Sequence, residues 1–143
     1  MLDSFIDKLK IEKNSMILLT ENSLTLLMAM KKIDKLSENN IDDLFDIFID
    51  KLIEKLGDKG TLLIQTFDWR FCKGKTYDIK KSIARTSFLG NIALKRDDFI
   101  RTKHPIYSFA VTGKYKDELA NLDNFGSFDI NSPFHFIFEK KSK

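Results

Sequence analysis

Two histidines and one cysteine are the side chains of this sequence that could act as a general base, a nucleophile or a soft metal ligand. His104 precedes Pro105 in a basic stretch, where an imidazole could serve as a general base, contact a phosphate or cap a loop. His135 is interpreted as a surface or half-buried residue. Cys72 has no base or orienting group placed by the sequence, so it is interpreted as an inert thiol. Because neither histidine has a second ligand at metal-binding spacing, we predict no metal site.

Positive charge is concentrated in the middle of the chain. Residues 1–68 carry 9 basic and 13 acidic groups, residues 69–104 carry 10 and 3, and residues 105–143 carry 5 of each. The middle stretch contains all four arginines, which are Arg70, Arg85, Arg96 and Arg101. Guanidinium groups bind carboxylates and phosphates through paired hydrogen bonds, so this stretch predicts that the protein handles an anion.

The same basic stretch could instead form a nucleic-acid surface. Its neighbouring aromatic residues Phe67, Trp69, Phe71 and Tyr77 could stack on bases. However, the pI is only 8.9 and the first half of the chain is acidic. We therefore expect a small phosphate-bearing ligand and no nucleic-acid partner.

The composition is that of one globular domain, residues 1–143, with 43% hydrophobic and 31% charged residues. A single cysteine excludes an intrachain disulfide and favours a reducing cytoplasm. The N-terminal residues lack the pattern of an export signal, and no run of about 18 apolar residues occurs. We therefore expect a cytoplasmic protein with no membrane partner.

Apolar periodicity predicts helices over residues 2–9, 24–32, 41–56, about 87–96 and 116–122, and strands over residues 15–19, 61–67 and 106–112. Residues 68–83 have no clear period and are interpreted as a long loop. The order of these elements predicts an α/β fold, a three-layer α/β/α sandwich with a largely parallel or mixed sheet.

The C-terminal residues show a second kind of periodicity. Phe134, Phe136 and Phe138 alternate as in a strand with one aromatic face. Such a face needs a covering layer, which an earlier helix or another chain would supply. We therefore expect an incomplete sheet, with a second copy or a partner chain able to pair with this strand.

Several sequence blocks, taken in order, resemble the aminoglycoside 3-N-acetyltransferase family. They are Met16-Ile-Leu-Leu-Thr-Glu-Asn-Ser-Leu24, Gly60-Thr-Leu-Leu-Ile-Gln-Thr-Phe67, Phe71-Cys-Lys-Gly-Lys-Thr-Tyr-Asp78, Ser87-Phe-Leu-Gly90, Arg101-Thr-Lys-His-Pro-Ile-Tyr-Ser-Phe-Ala110 with Gly113, Phe125-Gly126 and Ser132-Pro133-Phe134. The H-P-x-x-S-F block is the most specific of them. Glu21-Asn22 depart from the His-Ser of the family's first turn, and Arg85 and Gln65 replace other family residues. Family members continue past the S-P-F block, so this chain is similar to their N-terminal portion.

The resemblance implies acetyl transfer from acetyl-CoA to an amine of an aminoglycoside or amino sugar, without a metal. It implies a cofactor site formed by Asn22, Ser23, Thr66, Arg101, His104 and Ser108. Asn22 and Ser23 would offer a helix N-terminus to the pyrophosphate, and His104 is the candidate for a catalytic role. Arg101 is the one arginine in this set, and the other three are interpreted as solvated surface charges.

Two hypotheses from different classes follow. The first is an acetyl-CoA-dependent N-acetyltransferase acting on a small-molecule amine, in a shortened form whose activity alone the sequence leaves open. The second is a non-catalytic protein that still binds CoA, or a subunit that another chain completes.

Overall fold

The computed structural model describes residues 2–34 and 41–141, in which six α-helices, four β-strands and one 3-10 turn are formed. In chain order these are α1 (Leu2–Lys8), β1 (Met16–Leu19), α2 (Ser23–Asp34), α3 (Ile41–Leu56), β2 (Thr61–Gln65), the 3-10 turn (Trp69–Lys73), α4 (Phe88–Ala93), β3 (Ile100–Arg101), β4 (Phe109–Gly113), α5 (Lys116–Asn121) and α6 (Pro133–Lys141). Up to β2, the bounds predicted from periodicity agree with these to within two residues.

The four strands form one mixed sheet in the order β1-β2-β4-β3. β1 runs parallel to β2, whereas β4 is antiparallel to both β2 and β3. β3 was not predicted, because two residues are too few to show a period. The sheet is therefore mixed, with one parallel pair.

Alternation along the strands divides the interior into two apolar layers. Leu62, Ile64 and Ala110 face α1 to α4. Leu63 and Val111 face α5 and α6 on the other side. Successive side chains of a strand point to opposite faces, so the continuous apolar runs of β2 and β4 are buried on both sides. The predicted three-layer α/β/α arrangement is confirmed.

Helix α3 supplies the largest part of the first layer. Its buried residues Phe45, Phe48, Ile49 and Leu52 follow helical spacing, and each is at most 1% exposed. Burial of each such side chain stabilises the fold by about 1.5–3 kcal/mol relative to exposure. Asp42 in the first turn of α3 has the charge that the helix dipole favours there.

The prediction of a strand at Phe134, Phe136 and Phe138 is wrong, because these residues belong to α6. Ser132 caps this helix, since its Oγ accepts a hydrogen bond from the His135 backbone N at 3.1 Å. The proline that follows it suits the first helical position, so local capping outweighs the alternation of phenylalanines. Pairing with a partner chain through this segment as a strand is ruled out with it.

The face of α6 that packs on the sheet follows helical spacing. Ile137 is buried, and Phe136 lies against Tyr115 with ring centroids 5.6 Å apart. Phe134 contacts Phe109 of β4 at 5.3 Å between centroids. Phe134 and Phe136, which were expected on a strand face in need of a cover, are therefore part of the helix that covers this side of the sheet.

Two other element bounds differ from prediction. β4 begins three residues later than expected, because the backbone N–H groups of Ile106 and Tyr107 bind the His104 side chain in a turn. α4 ends at Ala93, and the residues after it form turns. None of the helices in the described part of the chain combines the length and apolarity needed to cross a bilayer.

Candidate functional site

The carboxyl ends of the parallel strands β1 and β2 lie against the starts of α2 and α4. The Nε2 of Gln65, the last residue of β2, donates to the backbone oxygens of Glu21 at 3.3 Å and of Thr86 at 3.2 Å. Glu21 lies two residues before the start of α2, and Thr86 lies one residue before Ser87, the N-cap of α4. Ligands of open α/β sheets bind at this kind of edge, so we take it as the candidate site and call it the β1-β2 junction.

The carboxylate of Glu21 is the centre of the junction. Its Oε1 accepts hydrogen bonds from the Oγ of Ser87 at 2.8 Å, the Oγ of Ser23 at 3.0 Å and the backbone N of Leu89 at 3.4 Å. These donors come from two separate segments of the chain, the start of α2 and the start of α4. The carboxylate therefore joins β1 to the starts of α2 and α4 and is held in one orientation.

Both serine hydroxyls also cap α4. The Oγ of Ser87 accepts from the backbone N of Gly90 at 2.7 Å, and the Oγ of Ser23 accepts from the backbone N of Phe88 at 2.9 Å. Together with the Glu21 carboxylate they satisfy three consecutive N–H groups at the start of this helix, which would otherwise lack partners. The N-terminus of α4 therefore has its anion already, supplied by the protein itself.

Close packing holds α4 against the end of β2. A Cβ added at Gly90 would lie 2.3 Å from the backbone oxygen of Gln65. No side chain fits at that distance, so glycine is required for the approach.

Two buried oxygens at the junction have no hydrogen-bond partner among the described residues. They are Oε2 of Glu21 and Oγ1 of Thr86. A buried polar atom left unpaired costs about 1–3 kcal/mol, so each of these oxygens is a position where a donor would be stabilised.

Asn22 and Ser23 lie at the junction, and both side chains make hydrogen bonds within the fold. The Oδ1 of Asn22 accepts from the backbone N of Thr25 at 3.0 Å and so caps α2. The hydroxyl of Ser23 is shared between the Glu21 carboxylate and α4. A phosphate at the start of α2 would meet the negative charge of Glu21 at close range.

Arg101, Ser108 and Thr66 form a second, separate group. Arg101 is 6% exposed, and its guanidinium donates to the Oγ of Ser108 at 3.0 Å, the backbone oxygen of Thr66 at 2.8 Å and the backbone oxygen of Ser82. The hydroxyls of Thr66 and Ser108 are 2.9 Å apart. Tyr77 stacks on the guanidinium at 5.1 Å. Burial lowers the pKa of Arg101. These three predicted site residues thus lie in one buried network, which connects the 78–85 loop, residues 78–85 between the 3-10 turn and α4, to the end of β2.

His104 is buried beside this network and holds a turn. Its Nδ1 accepts from the backbone N of Tyr107 at 3.0 Å and of Ile106 at 3.2 Å. Burial lowers the pKa of His104, opposed by a hydrogen bond to the Phe125 backbone and by the charge of Asp129. A neutral imidazole that accepts at Nδ1 carries its proton on Nε2, so neither nitrogen has a lone pair available for a substrate proton.

The four arginines do not converge on one ligand. Arg85 is exposed, whereas Arg70 chelates the buried carboxylate of Asp68 and so lowers the pKa of that carboxyl group. The interpretation of Arg96 as a solvated charge is wrong, because its side chain is 19% exposed and bridges α3 to the turn after α4. Its partners are Asp46, Asp50 and Asp98.

Of the four aromatic residues proposed to stack on bases, Phe71 is exposed and the other three contact residues of the fold. Phe67 and Trp69 pack edge to face on Tyr107, and Tyr77 lies under Arg101.

Within residues 2–34 and 41–141, no group of three or more His, Cys, Asp or Glu side chains could hold a metal ion.

Sequence reasoning missed the most connected residue of the site. Glu21 was noted only as a departure from the family's turn, and nothing in the sequence shows that Ser87 would reach it from 66 residues away. Ser87 itself carried a readable signal, since serine before an apolar helical run predicts an N-cap.

The chain is similar to known proteins both in sequence and in fold. The family model of aminoglycoside 3-N-acetyltransferases matches residues 28–143. Among solved structures, the chain is similar to sisomicin-bound AAC-VIa (16% identity, TM-score 0.71, covering 96% of this chain and 54% of that one). It is also similar to the YokD protein from Bacillus subtilis (16% identity, TM-score 0.72, 96% and 59%) and to AAC-IIIb in binary complex with CoASH (16% identity, TM-score 0.70, 97% and 55%).

At these identities the structural likeness shows the fold, and the chain spans little more than half the length of these neighbours. No curated protein sequence matches the chain significantly. The family model, by contrast, covers most of the chain and includes the Gln65 to Gly90 side of the junction, the Arg101 network and α6. The protein therefore belongs to the aminoglycoside 3-N-acetyltransferase family.

Proposed function

We propose that this protein catalyses acetyl transfer from acetyl-CoA to an amino group of an aminoglycoside or amino sugar. The family match over residues 28–143 is the observation that carries the proposal. Sisomicin is bound by AAC-VIa, and apramycin by a mutant of AAC(3)-IVa, which supports an amine-rich acceptor. The β1-β2 junction supports it further, because it lies at the edge of the sheet where α/β proteins bind ligands.

The reaction replaces a carbon–sulfur bond with a carbon–nitrogen bond and moves one proton from nitrogen to sulfur. The amine nitrogen attacks the thioester carbonyl carbon, the new carbon–nitrogen bond forms and the carbon–sulfur bond breaks. The sulfur leaves as a thiolate and takes up the proton that the amine loses. Because both nitrogens of His104 are engaged within the fold, we assign it to positioning the 104–107 turn rather than to this proton transfer.

Acetyl-CoA is the proposed donor, and AAC-IIIb with CoASH is the neighbour that supports it. Glu21 opposes a phosphate at the start of α2, so the donor's phosphates need cations elsewhere. Five exposed cations lie between the junction residues Gln65 and Thr86. They are Lys73, Lys75, Lys80, Lys81 and Arg85. The lone, exposed thiol of Cys72 is in keeping with a reducing compartment such as the cytoplasm.

Two measurements test the proposal. Calorimetric titration with CoA should give saturable binding that weakens several-fold in the double variant Lys80→Ala with Lys81→Ala, but not in the control Lys114→Ala. Acetyl-CoA with sisomicin or apramycin should release free thiol at a rate proportional to protein concentration. No CoA binding at millimolar concentration would refute the donor assignment, and binding without thiol release would refute catalysis by this chain.

A second candidate is a CoA-binding subunit that another chain completes. The observation that favours it is β1, which lies at one edge of the sheet and is apolar on both faces. Ile17 and Leu19 contact one layer, and Met16 and Leu18 contact the other. Edge strands of this kind readily pair with another chain. Sedimentation equilibrium would show association, and slowed amide exchange confined to β1 on association would identify the surface. A monomer that turns over acetyl-CoA and amine would refute this candidate.

A further inference from the structure

We propose that this protein forms a two-fold symmetric dimer through an exposed apolar surface beside α6. The surface consists of Trp69 and three residues of the α5-α6 loop, residues 122–132, and we call it the Phe125 surface. The three loop residues are Phe125, Phe128 and Ile130. The inference does not depend on the proposed function, because none of these residues belongs to the β1-β2 junction. It rests on the exposure of the side chains, on the fixed conformation of the loop and on a groove next to it.

The side chains of the Phe125 surface are open to solvent. Phe125 is 98% exposed, Ile130 76%, Phe128 74% and Trp69 44%. Tyr107 joins the aromatic members into one surface, since its ring centroid lies 5.0 Å from that of Trp69 and 6.5 Å from that of Phe128. At about 200 Å² for each large side chain, the surface presents roughly 600 Å² to solvent. This area equals the largest apolar patches of typical monomers and is about three-quarters of what one partner contributes to a standard interface.

The α5-α6 loop holds these side chains outward through hydrogen bonds of its own. The Oδ2 of Asp129 accepts from the backbone N of Gly126 at 2.7 Å and of Phe125 at 3.1 Å. The Nδ2 of Asn124 donates to the backbone oxygen of Gly126 at 2.8 Å, and the backbone N of Ser132 donates to that of Asp129 at 2.9 Å. The loop conformation is therefore set before a partner binds, so association costs little ordering of the loop. Exposed aromatic residues on such a support are typical anchors of protein interfaces.

A groove of about 380 Å³ adjoins the Phe125 surface on α6. It is lined by Leu122, Ile130, His135, Phe136, Glu139 and Lys140. Ile130 belongs to both features, and the ring of Phe128 lies 4.9 Å from that of Phe134 at the start of α6. A protruding aromatic side chain and an unfilled groove thus lie side by side on the same part of the molecule.

A second copy of this chain suits that arrangement. In a two-fold dimer each contact occurs twice, so a surface with a protrusion next to a groove can bury both at once. Phe125 of each copy would enter the groove of the other copy. Any other partner would have to supply both a groove and a protrusion at the same spacing.

The charges around the surface favour the same pairing. Asp123 is exposed two residues before Phe125, and Lys140 lines the groove that Phe125 would enter. The contact of Lys140 with Glu118 is long, at 4.0 Å, so its ammonium keeps donors for Asp123 of a second copy. Because the two-fold axis repeats this pair, opposite charges would meet on both sides of the apolar contact.

The test measures the oligomeric state of the 143-residue chain and of two matched double variants. Phe125→Ser with Phe128→Ser removes two aromatic side chains from the Phe125 surface. Leu24→Ser with Met28→Ser is the control, because these residues of α2 are 66% and 54% exposed and lie outside the surface. Sedimentation equilibrium from micromolar to submillimolar concentration gives the dissociation constants. Urea unfolding confirms that each variant is folded.

We expect the wild-type chain to dimerise with a micromolar dissociation constant, as suits an interface somewhat below standard size. Loss of both phenylalanines should weaken the dimer at least tenfold, because aromatic anchors carry much of the binding energy of an interface. The control variant should dimerise like the wild type. A wild-type chain that is monomeric at submillimolar concentration, or equal dimerisation of the two variants, would overturn the inference.

Amide hydrogen exchange on the wild-type chain is a second readout that needs no variant to fold. On dilution from dimer to monomer, exchange should become faster in the α5-α6 loop and in α6, and stay unchanged in β1. A change confined to β1 would assign the dimer to the edge strand and overturn the inference. Thiol release is assayed on the same samples. A dimer of this kind without thiol release would refute catalysis and leave the dimer, whereas turnover by a strictly monomeric chain would do the reverse.

Discussion

Removal of the Arg101 side chain should destabilise the protein more than removal of any exposed arginine. The guanidinium is almost fully buried and donates to Ser108, to the backbone of Thr66 and to the backbone of Ser82. It therefore joins β2, β3 and the 78–85 loop at one point. In Arg101→Ala all three bonds are lost and a cavity forms where the side chain was.

The size of the effect follows from these contacts. A hydrogen bond from a charged group contributes about 1.5–3 kcal/mol, and bonds within one network are not additive. Ser108 and the Thr66 oxygen keep each other as partners at 3.0 Å, which limits the loss. Burying the charge is itself unfavourable, as the lowered pKa of Arg101 indicates. We therefore expect Arg101→Ala to lower the free energy of unfolding by about 2–4 kcal/mol.

Urea unfolding, followed by the fluorescence of Trp69, measures this change. Arg85→Ala is the matched control, because it removes an exposed arginine and should change stability by at most about 0.5 kcal/mol. Arg101→Lys keeps the charge but cannot span three acceptors, so its stability should lie between those of the wild type and Arg101→Ala. An Arg101→Ala variant as stable as Arg85→Ala would refute the structural role of Arg101 and would favour a role in ligand binding.

Three further outcomes are expected. Gly90→Ala should lower the free energy of unfolding by about 3 kcal/mol, because the added methyl group would overlap a backbone oxygen of β2. Gly74→Ala, at φ 72° with open space around it, should lower it by about 1–2 kcal/mol. Coinciding urea midpoints of the two variants would contradict this difference. Burial depresses the pKa of His104, so the contribution of the neutral imidazole to stability is present above the unfolded pKa of about 6.5 and is lost as pH falls through the folded pKa. Between pH 7.5 and 5, the urea midpoint should therefore fall less in His104→Asn than in the wild type. An equal fall in the two proteins would argue against this contribution. Arg96→Ala should destabilise the protein by about 1–2 kcal/mol, and by less at 1 M salt. Lys95→Ala removes an exposed ion pair and should have little effect at either salt concentration. Thermal unfolding at two ionic strengths measures the difference between the two variants.

Most of the fold could be predicted because its signals are local. The apolar stripe of α3 and the continuous apolar runs of β1 and β2 need no distant contact to be read. The C-terminal segment shows how two local signals can disagree. Alternating phenylalanines favoured a strand, but the Ser132-Pro133 pair favoured a helix start, and the structure follows the cap. Hydrogen-bond satisfaction at a helix N-terminus was the stronger local constraint.

The ligand-binding role of the residues selected by resemblance stays a prediction, and the structure shows only where they lie. Ser23, Thr66, Arg101 and Ser108 were selected by resemblance, and the structure places the last three in one buried network. Which of them face a ligand could not be read from their order in the chain. Glu21 was selected by neither composition nor periodicity, since a single acidic residue after a strand is ordinary in an acidic half of the chain.

The amino-acid sequence by itself determined the α/β class, the positions of its main helices and strands, and the family resemblance, because periodicity, caps and ordered motifs are properties of neighbouring residues. Only the tertiary structure decided how charge is used. It buries Arg101 among neutral acceptors, distributes Arg70 and Arg96 to carboxylates, and brings Ser87 to Glu21 across 66 residues. The basic middle stretch suggested an anion as the ligand, yet at the β1-β2 junction the anion is a side chain of the protein itself. Electrostatic partners are chosen by distance in space, and that distance is set by the packing of the sheet and its helices.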